Sequence, residues 1–318
     1  MAASRRPDVL VIGAGVIGLS TAVRLAEAGL HVQIRAARPP QETTSASAGA
    51  SWGPYELADE RILHWSEQTR LILEEIAKDR SSGVRLVRGL EVAPFPLDPP
   101  AWVRDLSDFE PCPADQLPPG YVSGWRYTSP LVSMPRYLGY LTRRLGDYGV
   151  PIEIGTVGSF KELAGAARVL VNCTGLGARY LVPDDQVFPT RGQLVVVDNP
   201  GIHTFFQDWA EHEDMTYILP HDDYVVLGGS ATPGSENLTP DPARAAAIVD
   251  RCAAVEPLLR SARVRRILVG LRPSRPSVRI ERDLVDGNVL IHNYGHGGSG
   301  LALSWGCADE VLALSELT

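Results

Sequence analysis

The chain has 318 residues, of which 44% are hydrophobic and 21% are charged, and its formal net charge is -8. This composition is typical of a globular protein with a large core, and the negative balance gives no electrostatic basis for binding nucleic acid or an anionic membrane. No apolar run reaches the roughly 18 to 20 residues of a transmembrane helix, and the cysteines form no CxxC pair, so we expect a cytoplasmic protein with unpaired thiols and no membrane partner.

The N-terminal stretch has the pattern of a dinucleotide-binding unit. A continuously apolar run over Val9–Ile12 predicts a strand buried on both faces, and a GxGxxG pattern follows it over Gly13–Gly18. A helix over Leu19–Ala28 and a second strand over Val32–Arg35 complete a βαβ unit. In such a unit the first glycine makes the tight turn, the second admits a pyrophosphate, and the third lets the helix approach the strand. A glycine-rich turn without a ligand is the alternative.

The end of the second strand lacks the acid that normally binds the ribose hydroxyls of a dinucleotide. Ala37 and Arg38 stand there instead. Arg38 could stack near the adenine or meet a phosphate, and a surface arginine without a role is the alternative.

The middle of the chain alternates loops, helices and short strands. Small and polar residues predict a loop system over Pro39–Tyr55, and Arg272–Pro276 predicts a stiff cationic turn. Apolar periodicity predicts helices over Ile62–Ile76, Arg136–Leu145 and Pro240–Glu256, with Thr239 as N-cap of the last. Short apolar runs predict strands at Pro151–Ile154, Val169–Gly175, Leu194–Val197, Met215–Leu219, Tyr224–Leu227 and Val264–Val269.

A glycine-rich turn near the C-terminus joins a strand over Val289–Ile291 to a helix over Leu301–Leu314. The glycines of Gly295–Gly300 leave the backbone bare, so that a ligand can come close. The positive end of the following helix faces the same spot, which predicts a socket for an electron-rich group. Since the chain has α/β patterns at both ends and β-rich material between them, we expect an α/β fold of two interleaved domains.

The segment Leu290–Ala308, LIHNYGHGGSGLALSWGCA, resembles the signature of the D-amino acid oxidase family of flavoproteins. Further matches follow in family order at Thr43–Tyr55 (TTSASAGASWGPY), Val171–Gly175 (VNCTG), Arg191–Gln193 (RGQ), Thr216–Pro220 (TYILP), Gly228–Gly229 (GG) and Gly270–Arg282 (GLRPSRPSVRIER). The resemblance spans essentially the whole chain. It implies FAD as the cofactor and a small-molecule D-amino acid and dioxygen as the reaction partners, and it is compatible with a homodimer.

The resemblance also implies a division into domains. An FAD-binding Rossmann-type domain would comprise residues 1–55, 140–188 and 284–318, interleaved with a β-rich α+β substrate domain of residues 56–139 and 189–283.

The residues that the family resemblance assigns to the cofactor come from both glycine turns and from the loops between them. They are Gly13, Ala14, Gly15, Val16, Ile17, Gly18, Ala37, Arg38, Thr43, Thr44, Ser45, Gly49, Ala50, Ser51, Val157, Thr174, Arg272, Gly297, Gly298, Gly300, Leu301 and Ala302. Members of the family usually carry an acid where this chain has Ala37. The helix after the second turn would aim its N-terminus at the flavin edge that becomes anionic on reduction.

Three residues match the family's substrate contacts. Arg272, at a predicted strand end before a proline, would hold the substrate carboxylate with two parallel hydrogen bonds. Tyr217 would donate its hydroxyl to the same carboxylate, and the Gly298 carbonyl would meet the substrate amine. From the residues alone, a structural arginine and a packing tyrosine are the alternatives.

No His, Cys or carboxylate is placed as an obvious general base, and no metal site is predicted. The expected chemistry is hydride transfer from the substrate Cα to the flavin, with catalysis by orientation and electrostatics. Four side chains near the site are expected to be structural: His292, His296, Arg275 and Arg279.

Two places depart from the family pattern. Eukaryotic members carry a second pocket tyrosine where this chain has either His212–Asp214 or Ser230–Ala231. We therefore expect a more open pocket that accepts larger side chains. D-aspartate oxidases place extra arginines near the same places, so D-aspartate is expected to be a poor substrate here. A D-aspartate oxidase, a glycine or secondary-amine oxidase and a flavin-binding sensor are the alternative functions.

Overall fold

One mixed sheet runs through the part of the chain that the computed structural model describes, residues 6–54, 59–209, 214–285 and 287–317. Its strands are β1 Val9–Ile12, β2 Val32–Ala36, β3 Ala50–Ser51, β4 Val84–Ala93, β5 Glu110–Pro111, β6 Ser123–Val132, β7 Ile152–Ile154, β8 Val169–Asn172, β9 Phe188–Asp198, β10 Phe205–Asp208, β11 Asp214–Pro220, β12 Tyr224–Ser230, β13 Thr232–Pro233, β14 Val264–Val285 and β15 Asn288–His296.

The helices cover the sheet. They are α1 Val16–Glu27, α2 Ile62–Ile76, α3 Ala101–Arg104, α4 Met134–Asp147, α5 Ala178–Leu181, α6 Pro242–Val255 and α7 Gly300–Ser315. Single 3-10 turns lie at Pro40–Glu42, Thr44–Ser47, Ala114–Gln116, Phe160–Leu163, Gly175–Gly177 and Pro257–Ser261. The combination of helices with a large sheet confirms the predicted α/β class. Within the described residues, no helix is both long and apolar enough to cross a bilayer.

One half of the sheet is parallel, in the order β15-β8-β1-β2-β7. All four residues of β1 and of β8 are buried, as the continuous apolar runs predict for strands covered on both faces. Helices α1 and α7 pack on this half, and α7 is buried along most of its length because its residues are small or apolar all round. The predicted βαβ unit is therefore present, with its helix starting at Val16 rather than at Leu19.

The other half, from β6 to β14, is mostly antiparallel and has two distinct faces. Alternate side chains of β9, β11 and β12 pack against α6 on one face, for example Val195, Ile218 and Leu227. Their neighbours Leu194 and Tyr217 form a second core on the opposite face. This alternation places consecutive residues of β11 on opposite sides of the sheet.

Strand β14 joins the two halves, and here the predicted turn at Arg272–Pro276 is wrong. The strand runs unbroken over Val264–Val285, pairing first with β9 and then with β15. Prolines normally interrupt a strand because they lack the amide hydrogen. Pro276 is accommodated because it falls in the register shift between Ser274 and Arg279, where the ladder with β15 is already interrupted.

The predicted N-cap of α6 is also wrong. The helix begins at Pro242, and the Asp241 carboxylate accepts hydrogen bonds from the amides of Ala243 and Arg244. Thr239 instead offers its carbonyl to the Arg191 guanidinium, at 2.7 Å. Because the sequence contains Thr-Pro and Asp-Pro in succession, both pairs have the cap-then-proline pattern.

The predicted domain boundaries stay a prediction. They place α2 with the substrate domain, whereas in the structure α2 packs closely on α7: a β-carbon at Gly306 would overlap the backbone of Trp65. The Thr69 hydroxyl also accepts the amide of Gly306, at 3.1 Å.

Candidate active site

The predicted cofactor segments meet at the carboxyl ends of the parallel strands. Gly13 follows β1, Ala37 follows β2, Thr174 follows the end of β8 and Gly297 follows β15. In open α/β sheets this edge is where ligands bind.

The first glycine turn is tightly built. A β-carbon at Gly18 would overlap the carbonyl oxygen of Gly13, so that α1 can lie this close to β1 only with glycine there. The Val16 amide, at the start of α1, donates to Ser45 Oγ at 3.0 Å. Two segments predicted to contact the cofactor, Gly13–Gly18 and the loop around Ser45, are therefore adjacent.

The end of β2 is exposed at both Ala37 and Arg38. Arg38 makes no hydrogen bond or ion pair with another described residue. The acid next to this edge is Glu153 of β7, whose carboxylate accepts from Gln33 at 2.6 Å and from Arg35 at 3.3 Å. No free acid among these residues replaces the missing ribose ligand.

The loop after β2 crosses to the antiparallel half. A β-carbon at Gly49 would lie 3.4 Å from Tyr217 Cε2, and the Ser51 hydroxyl donates to Gln207 Oε1 at 2.6 Å. Thr44 lies against β14, 3.5 Å from where a β-carbon of Gly270 would stand. Of the remaining predicted contacts in this region, Ala50 and Val157 are buried, and Thr43 donates its hydroxyl to the Pro40 carbonyl at 2.7 Å.

The Tyr217 ring lies across the backbone of Gly228–Gly229. A β-carbon at Gly228 would overlap the ring, and one at Gly229 would lie 2.7 Å from the hydroxyl oxygen. Both glycines are therefore needed to leave room for the ring. Gly228 is the register partner of Tyr217 in the pairing of β11 with β12, and Gly229 follows it.

Arg272 is a partly buried cation without an acidic partner among the described residues. Its Nη1 donates to the Ser230 carbonyl at 3.0 Å, and the guanidinium lies on the bare backbone of Gly192, 3.0 Å from where a β-carbon would stand. Its predicted place at a strand end is wrong, because it lies inside β14. Among the described residues, its recorded contacts are this one acceptor and the Gly192 backbone.

Two other arginines of β14 are paired, as predicted. The Asp184 carboxylate receives Arg275 Nε at 3.1 Å and lies 3.7 Å from Arg279 Nη1. The Tyr294 hydroxyl donates to the same carboxylate at 2.8 Å. Burial raises the pKa of the Asp184 carboxyl, but these hydrogen bonds and charges outweigh it and hold the pKa below its ordinary value.

The second glycine turn lies beside Arg272. The Gly297 amide donates to the Pro273 carbonyl at 3.0 Å, and Gly298 is exposed at the tip. Helix α7 begins at Gly300, and both Leu301 and Ala302 are buried in its first turn. Tyr217 and Arg272 thus contact consecutive residues of β12, since the Tyr217 hydroxyl lies over Gly229 and Arg272 donates to Ser230. The Gly297–Gly298 turn is bonded to Pro273, the residue after Arg272.

The two histidines of this region are buried. Burial lowers the pKa of His296 to about 3. Burial, helped by the Arg279 charge, also lowers the pKa of His292, whose Nε2 lies 3.1 Å from Asp283. Both imidazoles are therefore neutral at pH 7, and neither brings a positive charge to the turn.

Sequence reasoning missed the residues that hold the predicted ones in place. Asn172 Oδ1 accepts the amide and hydroxyl of Thr174, at 3.2 and 2.7 Å, and Ser230 supplies the carbonyl partner of Arg272. Asn172 ends a buried apolar strand, and a polar residue there is a signal that could have been used. Ser230 acts through its backbone, which leaves no signal in the sequence.

Some predicted positions cannot be placed. Tyr55, His212 and Glu213 lie outside the described residues. Within those residues, no group of three or more His, Cys, Asp or Glu side chains is arranged to hold a metal ion.

Comparisons with known proteins show the family of the chain. A family model described as FAD dependent oxidoreductase matches residues 8–314. The chain is 45% identical over 309 residues to the D-amino-acid oxidase of Rubrobacter xylanophilus, covering 96% of this chain and 95% of that protein. It is 43% identical over 323 residues to the D-amino-acid oxidase of Streptomyces coelicolor, covering 98% and 97%. The solved glycine oxidase of Geobacillus kaustophilus shares the fold, with a TM-score of 0.80 at 19% identity, covering 98% of this chain and 95% of that one. The chain therefore belongs to the D-amino acid oxidase family of FAD-dependent oxidoreductases.

Proposed function

We propose that the chain, an FAD-dependent oxidase of D-amino acids, prefers substrates with neutral side chains and holds them between Tyr217, Arg272 and the Gly298 carbonyl. The products are a 2-oxo acid, ammonia and hydrogen peroxide. The observation that carries the proposal is the charge of Arg272, which has no acidic partner in the described part of the chain and lies next to Tyr217 and an exposed glycine turn.

The two glycine turns fit FAD. The close packing at Gly18 holds the N-terminus of α1 against the turn after β1, and a helix N-terminus at this edge of the sheet suits a pyrophosphate. The exposed backbone at Gly298, followed directly by α7, suits the flat flavin ring. Bound FAD would accept a hydride from the substrate Cα and pass the electrons to dioxygen. The remaining proposed cofactor contacts are those that the family resemblance assigns.

Arg272 is suited to a carboxylate because its side chain is partly exposed and its guanidinium donates to a single acceptor among the described residues. An arginine can grip a carboxylate with two parallel hydrogen bonds, which fixes orientation as well as charge. The Tyr217 hydroxyl, held over Gly229, would give a third bond from the adjacent strand. Substrate position is thus set by two groups whose own positions are fixed by backbone contacts.

The substrate amine would donate to the Gly298 carbonyl at the tip of the second turn. With carboxylate and amine both held, the Cα hydrogen of only one enantiomer would face the second glycine turn, where the flavin is proposed to bind. Neutral histidines and structural arginines leave orientation and fixed dipoles as the means of catalysis.

The residues beside Tyr217 on the neighbouring strands favour substrates whose side chains are neutral. Glu91, Gln207 and Tyr217 are register partners on β4, β10 and β11. Two strand spacings place the Glu91 backbone about 10 Å from that of Tyr217. Two like charges about 10 Å apart repel by about 1 to 2 kcal/mol, so a second substrate carboxylate held at about that distance from an ionised Glu91 would be disfavoured. Ala231, after the glycine pair, offers no charge to offset it.

We also propose the domain division given by the family resemblance, with β14 as the strand shared between the two units, and a homodimer as the assembly. A cytoplasmic location is proposed as well, supported by four cysteines that are all buried and unpaired.

A substrate panel tests this function. Peroxide formation is measured with D-alanine, D-phenylalanine, D-aspartate, glycine and sarcosine. We expect turnover of both neutral D-amino acids, including the large one, and a kcat/KM for D-aspartate about 5- to 30-fold lower, in line with the repulsion above. Equal or faster turnover of D-aspartate would sink the neutral preference, and a strict preference for D-alanine would sink the open pocket. Glycine or sarcosine as the best substrate would identify a glycine or secondary-amine oxidase.

A further inference from the structure

A second cavity lies on the face of the sheet opposite Tyr217. Its volume is about 480 Å³, within the usual range for small-molecule sites. Thr216 lines it, whereas the next residue of β11, Tyr217, faces the candidate active site. Asp208 and Gln207 of β10 divide between the two faces in the same way. The two sites therefore lie back to back, separated by the thickness of one sheet.

One wall of this cavity is apolar. The connection between β4 and β6 supplies it together with the last turn of α6, and the residues are Pro94, Phe95, Pro118, Pro119, Tyr121, Ala254 and Val255. Such a surface of prolines and aromatic rings suits an apolar or aromatic side chain.

The floor of the cavity carries both signs of charge. The Arg251 guanidinium lies 3.8 Å from the Asp214 carboxylate. Its Nη2 donates to the carbonyls of Gly229 and Met215 at 3.2 and 3.4 Å, and its buried Nε has no acceptor among the described residues. The hydrogen bonding of this guanidinium is therefore incomplete.

The second acid, Asp208, is partly buried in the floor. It accepts the Thr216 amide at 2.7 Å and the Tyr121 hydroxyl at 3.1 Å. Burial holds the pKa of this carboxyl above its ordinary value. A cation in the cavity would offset that cost of burial.

We propose that this cavity is a second, non-catalytic binding site for a free α-amino acid with an apolar side chain. The amine and carboxylate of such a ligand stand on one carbon, and they match the acids and the guanidinium that lie side by side on the floor. A ligand with only a carboxylate is repelled by the two acids, and a ligand with only an amine leaves the Arg251 guanidinium without a partner in the ligand. The apolar wall takes the side chain.

The site is coupled to the active site through Arg251. Its guanidinium bonds the carbonyl of Gly229, and Gly229 seats the Tyr217 hydroxyl on the other face. A ligand carboxylate competes with the Gly229 carbonyl for the same guanidinium. Binding in the cavity therefore shifts the Gly229 backbone on which the Tyr217 ring rests, and this changes the KM of the oxidase.

L-phenylalanine is the probe, because an oxidase of D-amino acids does not consume it. Its binding to the FAD-loaded protein is measured by calorimetry, in the wild type and in four variants. Ala254→Phe fills the cavity from an exposed position, and Arg251→Met removes the guanidinium but keeps the apolar stem. Arg244→Met, on α6 but outside the cavity, is the matched control, and Arg272→Ala disables the candidate active site.

We expect saturable binding in the wild type, Arg244→Met and Arg272→Ala. Arg251→Met should weaken binding about tenfold or more, through the loss of one charge-assisted pair, and Ala254→Phe should weaken it at least as much, because the ring occupies the cavity. Phenethylamine and 3-phenylpropanoate should each bind at least about tenfold more weakly for the same reason. Binding lost in Arg272→Ala but kept in Ala254→Phe would overturn the proposal, as would no saturable binding or equal binding of 3-phenylpropanoate. The binding result does not depend on oxidase activity.

The coupling has its own readout. L-phenylalanine should change the KM for D-alanine in the wild type and leave it unchanged in Ala254→Phe. An unchanged KM in a wild type that binds L-phenylalanine would overturn the coupling.

Discussion

Replacing Arg272 with Ala removes the charge that is proposed to hold the substrate carboxylate. The side chain is partly buried, rests on Gly192 and donates to Ser230 at 3.0 Å, so it is already oriented before substrate binds. A hydrogen bond to a charged group contributes about 1.5 to 3 kcal/mol, and two parallel bonds at a site partly open to water contribute about 3 to 4 kcal/mol. The expected loss in kcat/KM is therefore roughly 10²- to 10³-fold.

A lysine at the same position keeps the charge but not the two-pronged geometry. Arg272→Lys should lose about half of that free energy, or roughly 10- to 30-fold in kcat/KM. Arg266→Ala is the matched control, because Arg266 is an exposed arginine of the same strand. Its kcat/KM should equal that of the wild type.

The assay is anaerobic flavin reduction by D-alanine in a stopped-flow instrument, on protein with its FAD content measured. Since Arg272 has no acidic partner among the described residues, the Ala variant should fold with a melting temperature near that of the wild type. A variant that is folded and loaded, yet keeps its kcat/KM within about threefold, a loss under 1 kcal/mol, would refute the reasoning.

Three further outcomes are expected. Gly18→Ala should lose FAD content, because its β-carbon overlaps the Gly13 carbonyl, whereas Gly146→Ala in α4, which meets nothing within 4 Å, should keep it and gain about 0.5 to 1 kcal/mol of stability; equal FAD content in the two variants would contradict this. Asp184 has a lowered pKa in the folded state, so its stabilising contribution is present above the unfolded pKa near 4 and is lost as pH falls through the folded pKa. Asp184→Asn should therefore show a smaller fall in the free energy of unfolding between about pH 5 and 2, measured by urea titration, and an unchanged fall would rule out its pairing with Arg275. Gly228→Ala should displace the Tyr217 ring and raise the KM for D-alanine, and a KM equal to that of the wild type would show that the ring is not needed.

The parallel half of the fold was predictable because its signals are local. A continuous apolar run, a glycine pattern and a helical period lie side by side in Val9–Ala36, and each rule applies within a few residues. The helix over Ile62–Ile76 was predicted to the residue for the same reason.

The long strand β14 could not be predicted from local signals. Pro273 and Pro276 predict a break in the strand. The strand continues past them because its partner changes there from β9 to β15, and this change, which leaves positions that need no amide hydrogen, is not visible in the sequence. The N-cap of α6 was ambiguous for a related reason, since the choice of Asp241 over Thr239 depends on the distant Arg191.

The candidate site divides in the same way. The glycine turns and Arg272 were visible as residue types in a known order. Their relations depend on backbone contacts between distant strands, such as the Ser230 carbonyl on Arg272 and the Gly228–Gly229 seat of Tyr217. The cavity around Arg251 had no signal in the sequence, because its lining comes from five separated segments.

The most direct test of the central claim is anaerobic titration of the FAD-loaded protein with the two enantiomers of phenylalanine, followed by the yellow flavin absorbance. A site that holds carboxylate and amine in one fixed orientation predicts bleaching by D-phenylalanine and none by L-phenylalanine. Bleaching by the L-enantiomer, or no bleaching by any D-amino acid, would contradict the account.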